Sequence, residues 1–90
     1  MVKVIVTHEV KDFSTWKTAF DEGEGDRTNA GVRLNGLYTA HDNPNHVTIS
    51  TEFPNIESVN RFLGNPNLQA SMEKGGVIGK PDVLILNKVL

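Results

Sequence analysis

Cysteine is absent from the chain. Disulfides, thiolate catalysis and cysteine-ligated zinc or iron–sulfur centres are excluded with it, and the composition suits a reducing cytoplasm. Long apolar runs are missing too. None reaches the roughly 18 residues that a membrane-spanning helix needs, and Met1-Val2-Lys3-Val4-Ile5-Val6 is too short for the apolar stretch of a signal peptide. A cytoplasmic protein with no membrane partner is expected. Nor is there an excess of either charge: nine basic side chains stand against eleven acidic ones, a net of −2. The lysines and arginines are scattered singly with no aromatics between them, whereas a nucleic-acid binder shows a basic stripe, so no nucleic-acid partner is expected. No glycine-rich phosphate loop follows a strand, since Gly23-Glu24-Gly25 and Gly75-Gly76 lack the G-x-G-x-x-G context. The G-x-S-x-G elbow of the hydrolases is absent as well.

The chain has 90 residues. Domains span about 50–250 residues, so residues 1–90 are read as one domain. A chain of this size buries only roughly 60–65% of the surface its unfolded form exposes. A partner subunit covering one face would therefore add stability that the monomer lacks.

Two periodicities run through the sequence. Val2, Val4 and Val6 alternate with Lys3, Ile5 and Thr7, and His8 ends the first of these faces, as in a strand with β-branched residues on alternate sides. Asp12 suits a helix N-cap. After it, Phe13, Trp16 and Phe20 recur at helical spacing and form one apolar stripe. The Gly23-Glu24-Gly25 run weakens that helix, which resumes around Arg27 and stops at Gly31. Residues 32–41 read as a second strand with a bulge at Gly36. Asp42-Asn43-Pro44-Asn45 reads as a turn, and residues 46–53 as a third strand completing a hairpin. Asn55 caps a short helix carrying Ile56, Val59, Phe62 and Leu63, and Gly64 ends it. Asn65-Pro66 starts another helix with the favoured N-cap and N1 pair; Leu68 and Met72 lie one turn apart on it, and Gly75-Gly76 closes it. Residues 82–90 form a last strand, apolar on both faces. The order β-α-β-β-α-β defines an α+β, ferredoxin-like domain with a four-stranded antiparallel sheet and helices on one face. A strand apolar on both sides implies that the other face is covered as well. The simplest cover is a second copy, giving a homodimer through the open sheet face, a dimeric α/β barrel.

The candidate site lies on the helix side of the sheet. His8 points toward the helices, Trp16 and Phe20 point back at it, and Arg27 follows Phe20 by two turns. Tyr38, Phe62 and Met72 are expected to close the remaining walls of an apolar pocket with a few polar groups. His8 is the candidate catalytic residue, because an imidazole exchanges a proton near neutral pH; a histidine satisfied by a backbone carbonyl at a strand end is the other reading. Trp16, Phe20, Phe62 and Met72 also read as core packing, Arg27 as a solvated helix-end charge or as a planar fork for a carboxylate or enolate, and Tyr38 as a donor or a packing residue. His41 and His46 flank the hairpin beside Asp42, but their spacing matches no zinc motif; no metal site is expected.

The run His8-Glu9-Val10-Lys11-Asp12-Phe13-Ser14-Thr15-Trp16, with Phe20, Arg27 and Gly31, resembles the opening of small bacterial proteins in the dimeric α/β-barrel superfamily. Asp42-Asn43-Pro44-Asn45-His46-Val47 resembles their D-x-P-N-x-V hairpin. Met72-Glu73-Lys74-Gly75-Gly76-Val77, with Gly79 and Pro81, resembles their closing segment. The likeness covers nearly the whole chain and is to a subfamily related to antibiotic-biosynthesis monooxygenases and cyclases. It implies a homodimer with a pocket between sheet and helices in each subunit. The wider family includes cofactor-free oxygenases, polyketide cyclases, lactone isomerases and haem-degrading enzymes. The last group uses a first-strand asparagine where this chain has His8, a departure from the haem-degrading pattern.

Three functions follow. In the first, an enzyme without metal or organic cofactor acts on a small aromatic or enolisable substrate, with His8 abstracting a proton and Arg27 or Tyr38 stabilising the oxyanion. In the second, the same pocket carries or senses a small-molecule ligand without turnover. In the third, the dimer itself is the functional object. The fold does not discriminate among them.

Overall fold

The computed structural model describes residues 1–90 and follows the expected order, with both helical segments split in two. The elements are β1 (Val2–Val10), α1 (Phe13–Glu22), α2 (Glu24–Asn29), β2 (Arg33–Ala40), β3 (Asn43–Phe53), α3 (Ile56–Leu63), α4 (Pro66–Lys74) and β4 (Val77–Asn87). All strand pairs are antiparallel, in the order β2-β3-β1-β4. This is the ferredoxin-like α+β architecture. No helix is long and apolar enough to cross a membrane.

Helix starts are set by short polar side chains. Asp12 accepts from the Thr15 amide and hydroxyl, both at 2.9 Å. Asn55 accepts from the Ser58 amide at 2.8 Å, and Asn65 accepts from the Asn67 amide at 2.9 Å. Each bond satisfies an amide that the first helical turn leaves free. Replacing Asn55 with alanine is expected to cost about 1 kcal/mol and to lower the melting temperature by roughly 4–8 °C. A calorimetric melt unchanged by N55A would show that the cap contributes nothing to this short helix.

Burial is concentrated in two small clusters. Val4, Phe53 and Val59 form one, joined by the half-buried Val32 and Phe62. Val10, Trp16 and Val47 form the other, joined by Phe13, Phe20 and Leu37. Both occupy the helix side of the sheet, one at each end of β1. Between them Val6 is only half-buried, because the helices part above it and leave a cleft.

Two irregularities steer side chains. Leu34 pairs with Thr51 and Gly36 with Ser50, so Asn35 is an extra residue in β2. The bulge therefore sits at Asn35, beside Gly36. On a regular strand beginning with Val32 and Leu34 inward, Tyr38 would also point inward. One inserted residue reverses the alternation. Tyr38 pairs with Thr48 on the outer face, away from the helices, and is 52% exposed. Its assignment to the pocket is thus corrected. The ring lies across Gly36, where a Cβ would fall 2.3 Å from the Tyr38 hydroxyl, so Gly36 is the berth for this ring. The second irregularity lies in β4. Thr7 pairs with Asp82 and Glu9 with Ile78, so Gly79, Lys80 and Pro81 bulge opposite the single residue His8. Gly79 takes φ +71 there, a conformation cheap only for glycine. β4 therefore begins at Val77, five residues before the sequence expectation. The hairpin turn is likewise tighter than expected, with Ala40 already paired to Asn43.

Candidate functional site

The cleft between the two clusters has a volume of about 360 Å³, within the usual range of small-molecule sites. Val4, Val6 and His8 of β1 and Ile49 and Thr51 of β3 form its floor. The floor is tied down by the Thr51 hydroxyl, which donates to the Val4 carbonyl at 2.9 Å. Trp16 and Phe20 of α1 make one wall, and Leu68 and Met72 of α4 face them.

His8 is 6% exposed, and its Nδ1 is buried without a hydrogen-bond partner in the protein. Burial in apolar surroundings disfavours the imidazolium and is the main cause that holds the His8 pKa below 6.5. A contact with its own backbone opposes the shift, and the His46 charge adds slightly to it. At neutral pH the ring is thus neutral, able to accept a proton or to exchange a hydrogen bond with a guest. The strand alternation turns His8 inward, and the edge of its ring meets Trp16 with centroids 5.5 Å apart and planes at 66°.

Trp16 in turn stacks on Phe20, with centroids 4.9 Å apart and an interplanar angle of 28°. The Arg27 guanidinium lies 3.8 Å from the Phe20 ring centroid, a cation–π contact. Its Nη1 donates to the Phe20 carbonyl at 2.8 Å. The helix break at Gly23 does not swing Arg27 away. A Cβ at position 23 would sit 3.2 Å from Nη1, a tight contact that the guanidinium would relieve by shifting a few tenths of an ångström. Desolvation lowers the Arg27 pKa, against the raising influence of Glu24, Asp21 and Asp26, and the group stays charged at neutral pH.

Of the seven residues picked from the sequence, His8, Trp16, Phe20, Arg27, Phe62 and Met72 line this one cleft, and Tyr38 does not. Asn65, Asn67 and Ser71 of the α4 face and Lys80 and Pro81 of the β4 bulge also line it, beyond the residues expected. Gly79 and Pro81, two residues apart in an otherwise apolar strand, are the signal for that bulge. The outer face has different chemistry. Glu9 and His46 approach to 3.7 Å there, and no group of three metal-ligating side chains forms anywhere in the chain.

No protein-family model matches the chain, and no curated protein sequence does. Solved structures do. An antibiotic biosynthesis monooxygenase superimposes with a TM-score of 0.78 at 14% identity, covering 100% of both chains. SnoaB, a cofactor-independent oxygenase from Streptomyces nogalater, gives 0.78 at 11% identity over 99% of this chain and 93% of its own. The chain has the antibiotic-biosynthesis-monooxygenase-like fold. An uncharacterised NIPSNAP domain protein from Burkholderia xenovorans has a similar backbone, at TM-score 0.72 and 18% identity over 99% and 95% of the two chains. At such identities the likeness is one of backbone. What the cleft does chemically rests on its own side chains.

Proposed function

We propose that the chain is a cytoplasmic, small-molecule-binding homodimer whose cleft carries out proton-abstraction chemistry on a small aromatic or enolisable substrate. The observation that carries this reading is the unpartnered His8 Nδ1, buried in an apolar cleft beside two stacked aromatic rings. A neutral imidazole there suits a general base. The C–H bond beside a carbonyl, or the O–H bond of a phenol, breaks, the proton passes to His8, and the electron pair is left on the enolate or phenolate. Arg27 is the charged donor of the cleft, at the end of the aromatic row away from His8. Trp16 and Phe20 supply an apolar wall along which a planar substrate lies. The enolate then cyclises, isomerises or meets dioxygen. That SnoaB is a cofactor-independent oxygenase on the same backbone is consistent with the last course.

Dimerisation is supported by the sheet itself. Leu84 and Leu86 expose 56% and 42% of their surface on the outer face, and Ile85 exposes 45% on the other side of the same strand. Only 11 of 90 residues are buried, too few for a monomer of comfortable stability. β4 is also an edge strand with unpaired backbone groups, which proteins normally cover.

A thermal-shift screen tests the reading, with aromatic phenols and quinones, small lactones, aromatic acids and haem. A true ligand at a hundred times its Kd adds about 2.7 kcal/mol, which for a domain this small raises the melting temperature by roughly 10 °C or more. A panel with no shift would sink the small-aromatic reading.

A further inference from the structure

We infer that the cleft selects substrates carrying a carboxylate at the end of the ring system opposite the reacting carbon, and that Arg27 is the residue that reads it. The inference rests on the cleft being a small-molecule site and adds the chemical class of its occupant.

His8, Trp16, Phe20 and Arg27 form a continuous row along one wall. Imidazole meets indole edge-on at 5.5 Å, indole stacks on phenyl at 4.9 Å, and guanidinium covers phenyl at 3.8 Å. A planar molecule lying along that row has the unpartnered imidazole at one end and a cation at the other. The guanidinium has five N–H donors in a planar fork. Among protein groups, its one hydrogen bond goes to the Phe20 carbonyl. No carboxylate of the chain reaches it at salt-bridge distance; the three ion pairs present involve Lys17, His46 and Lys74. A half-buried guanidinium with free donors facing an apolar cleft matches the geometry of a carboxylate better than that of a neutral group. A second cation, Lys80, is brought to the cleft lining by the β4 bulge opposite His8, and it too lacks an acidic partner within the chain.

Three carboxylates act in the opposite sense. Asp21 is taken up by Lys17 at 2.7 Å. Glu24 and Asp26 are exposed on α2, Asp26 at the rim of the cleft, and neither comes within salt-bridge distance of Arg27, so water screens their fields. A carboxylate inside the cleft would meet the guanidinium directly and out of water, so the local contact prevails. The bond from Nη1 to the Phe20 carbonyl also ties α2 to the end of α1, so the test must separate recognition from support of the helix.

Calorimetric titration with 6-hydroxy-2-naphthoate, whose hydroxyl and carboxylate lie at opposite ends of the ring system, and its neutral isostere 6-hydroxy-2-naphthamide makes that separation. The wild-type protein is expected to bind the acid at least about tenfold more tightly than the amide, as charge-assisted bidentate pairing requires. Arg27→Gln should level the two while leaving amide affinity within about threefold, whereas a helix-support role alone would weaken both together. Arg27→Lys should retain part of the preference, keeping the charge but losing the fork. Equal wild-type affinities would overturn the acid selectivity and leave the cleft standing as a binding site. A preference that survives Arg27→Gln would overturn the assignment to Arg27. Failure of both probes to bind would overturn the cleft as an aromatic site and this inference with it. The wild-type comparison needs no variant and decides the selectivity even if Arg27→Gln does not fold.

Discussion

Leu84→Glu is expected to turn a dimer into a folded monomer. Leu84 pairs with Ile5 across β1 and β4 on the face away from the helices, and it touches neither core cluster. Its substitution should therefore leave the helix side intact. In a two-fold dimer the same leucine enters the interface twice. Losing the burial of one leucine costs about 1.5–3 kcal/mol, so two copies weaken association by roughly a hundred- to ten-thousand-fold before the cost of burying two carboxylates is added. Light scattering on a gel-filtration column should give twice the chain mass for the wild type and a single chain mass for L84E. The wild-type melting temperature should also rise with concentration, and that of L84E should not. A wild-type protein that runs as a monomer at all concentrations would remove the homodimer and leave the exposed β4 face unaccounted for.

The elements were readable because each is signalled locally and more than once. β1 shows alternation with β-branched residues. α1 shows the Phe13-Trp16-Phe20 stripe behind the Asp12 cap, and α3 and α4 each follow an asparagine that caps them in the structure. The inward turn of His8 followed from two-residue periodicity alone, and its approach to Trp16 followed from two elements packing on one face. What could not be read depends on pairing between strands. Gly36 signals a bulge in β2, but a bulge is defined by its partner strand, so the sequence does not show that Asn35 is the inserted residue and that Tyr38 turns outward. Gly79 and Pro81 look like strand breakers when read along the chain, yet they lie inside β4, in the stretch that bends around His8. Lys80 was missed for the same reason. Arg27 shows the converse: the Gly23-Glu24-Gly25 run weakens the helix between Phe20 and Arg27, yet the guanidinium still lies against Phe20.

His8→Ala is expected to lower the turnover of any substrate found by screening by about 10²–10⁴-fold, the usual contribution of a positioned base, with the fold and the dimer preserved. The pH dependence gives a second, independent reading. Burial places the His8 pKa below the ordinary 6.5, so the ring is a competent base at neutral pH. Activity should be level at and above neutrality and fall in acid, with its midpoint below 6.5. Stability should follow the same sense. Between the lowered native pKa and the ordinary unfolded one, the unfolded chain binds more protons, so stability is full above pH 6.5 and declines as pH falls through that window. Trp16 reports the titration directly. It is the chain's one tryptophan, and its ring meets His8 edge-on, where an imidazolium quenches indole fluorescence. The wild-type emission should drop on acidification with a midpoint below 6.5, and His8→Gln should abolish that step. A midpoint at or above 6.5 would mean that water or a charge stabilises the imidazolium in the cleft, and one above neutral pH would leave His8 mostly protonated and unable to act as the base there. Unchanged turnover in His8→Ala would remove His8 from the chemistry altogether and leave the cleft as a binding site.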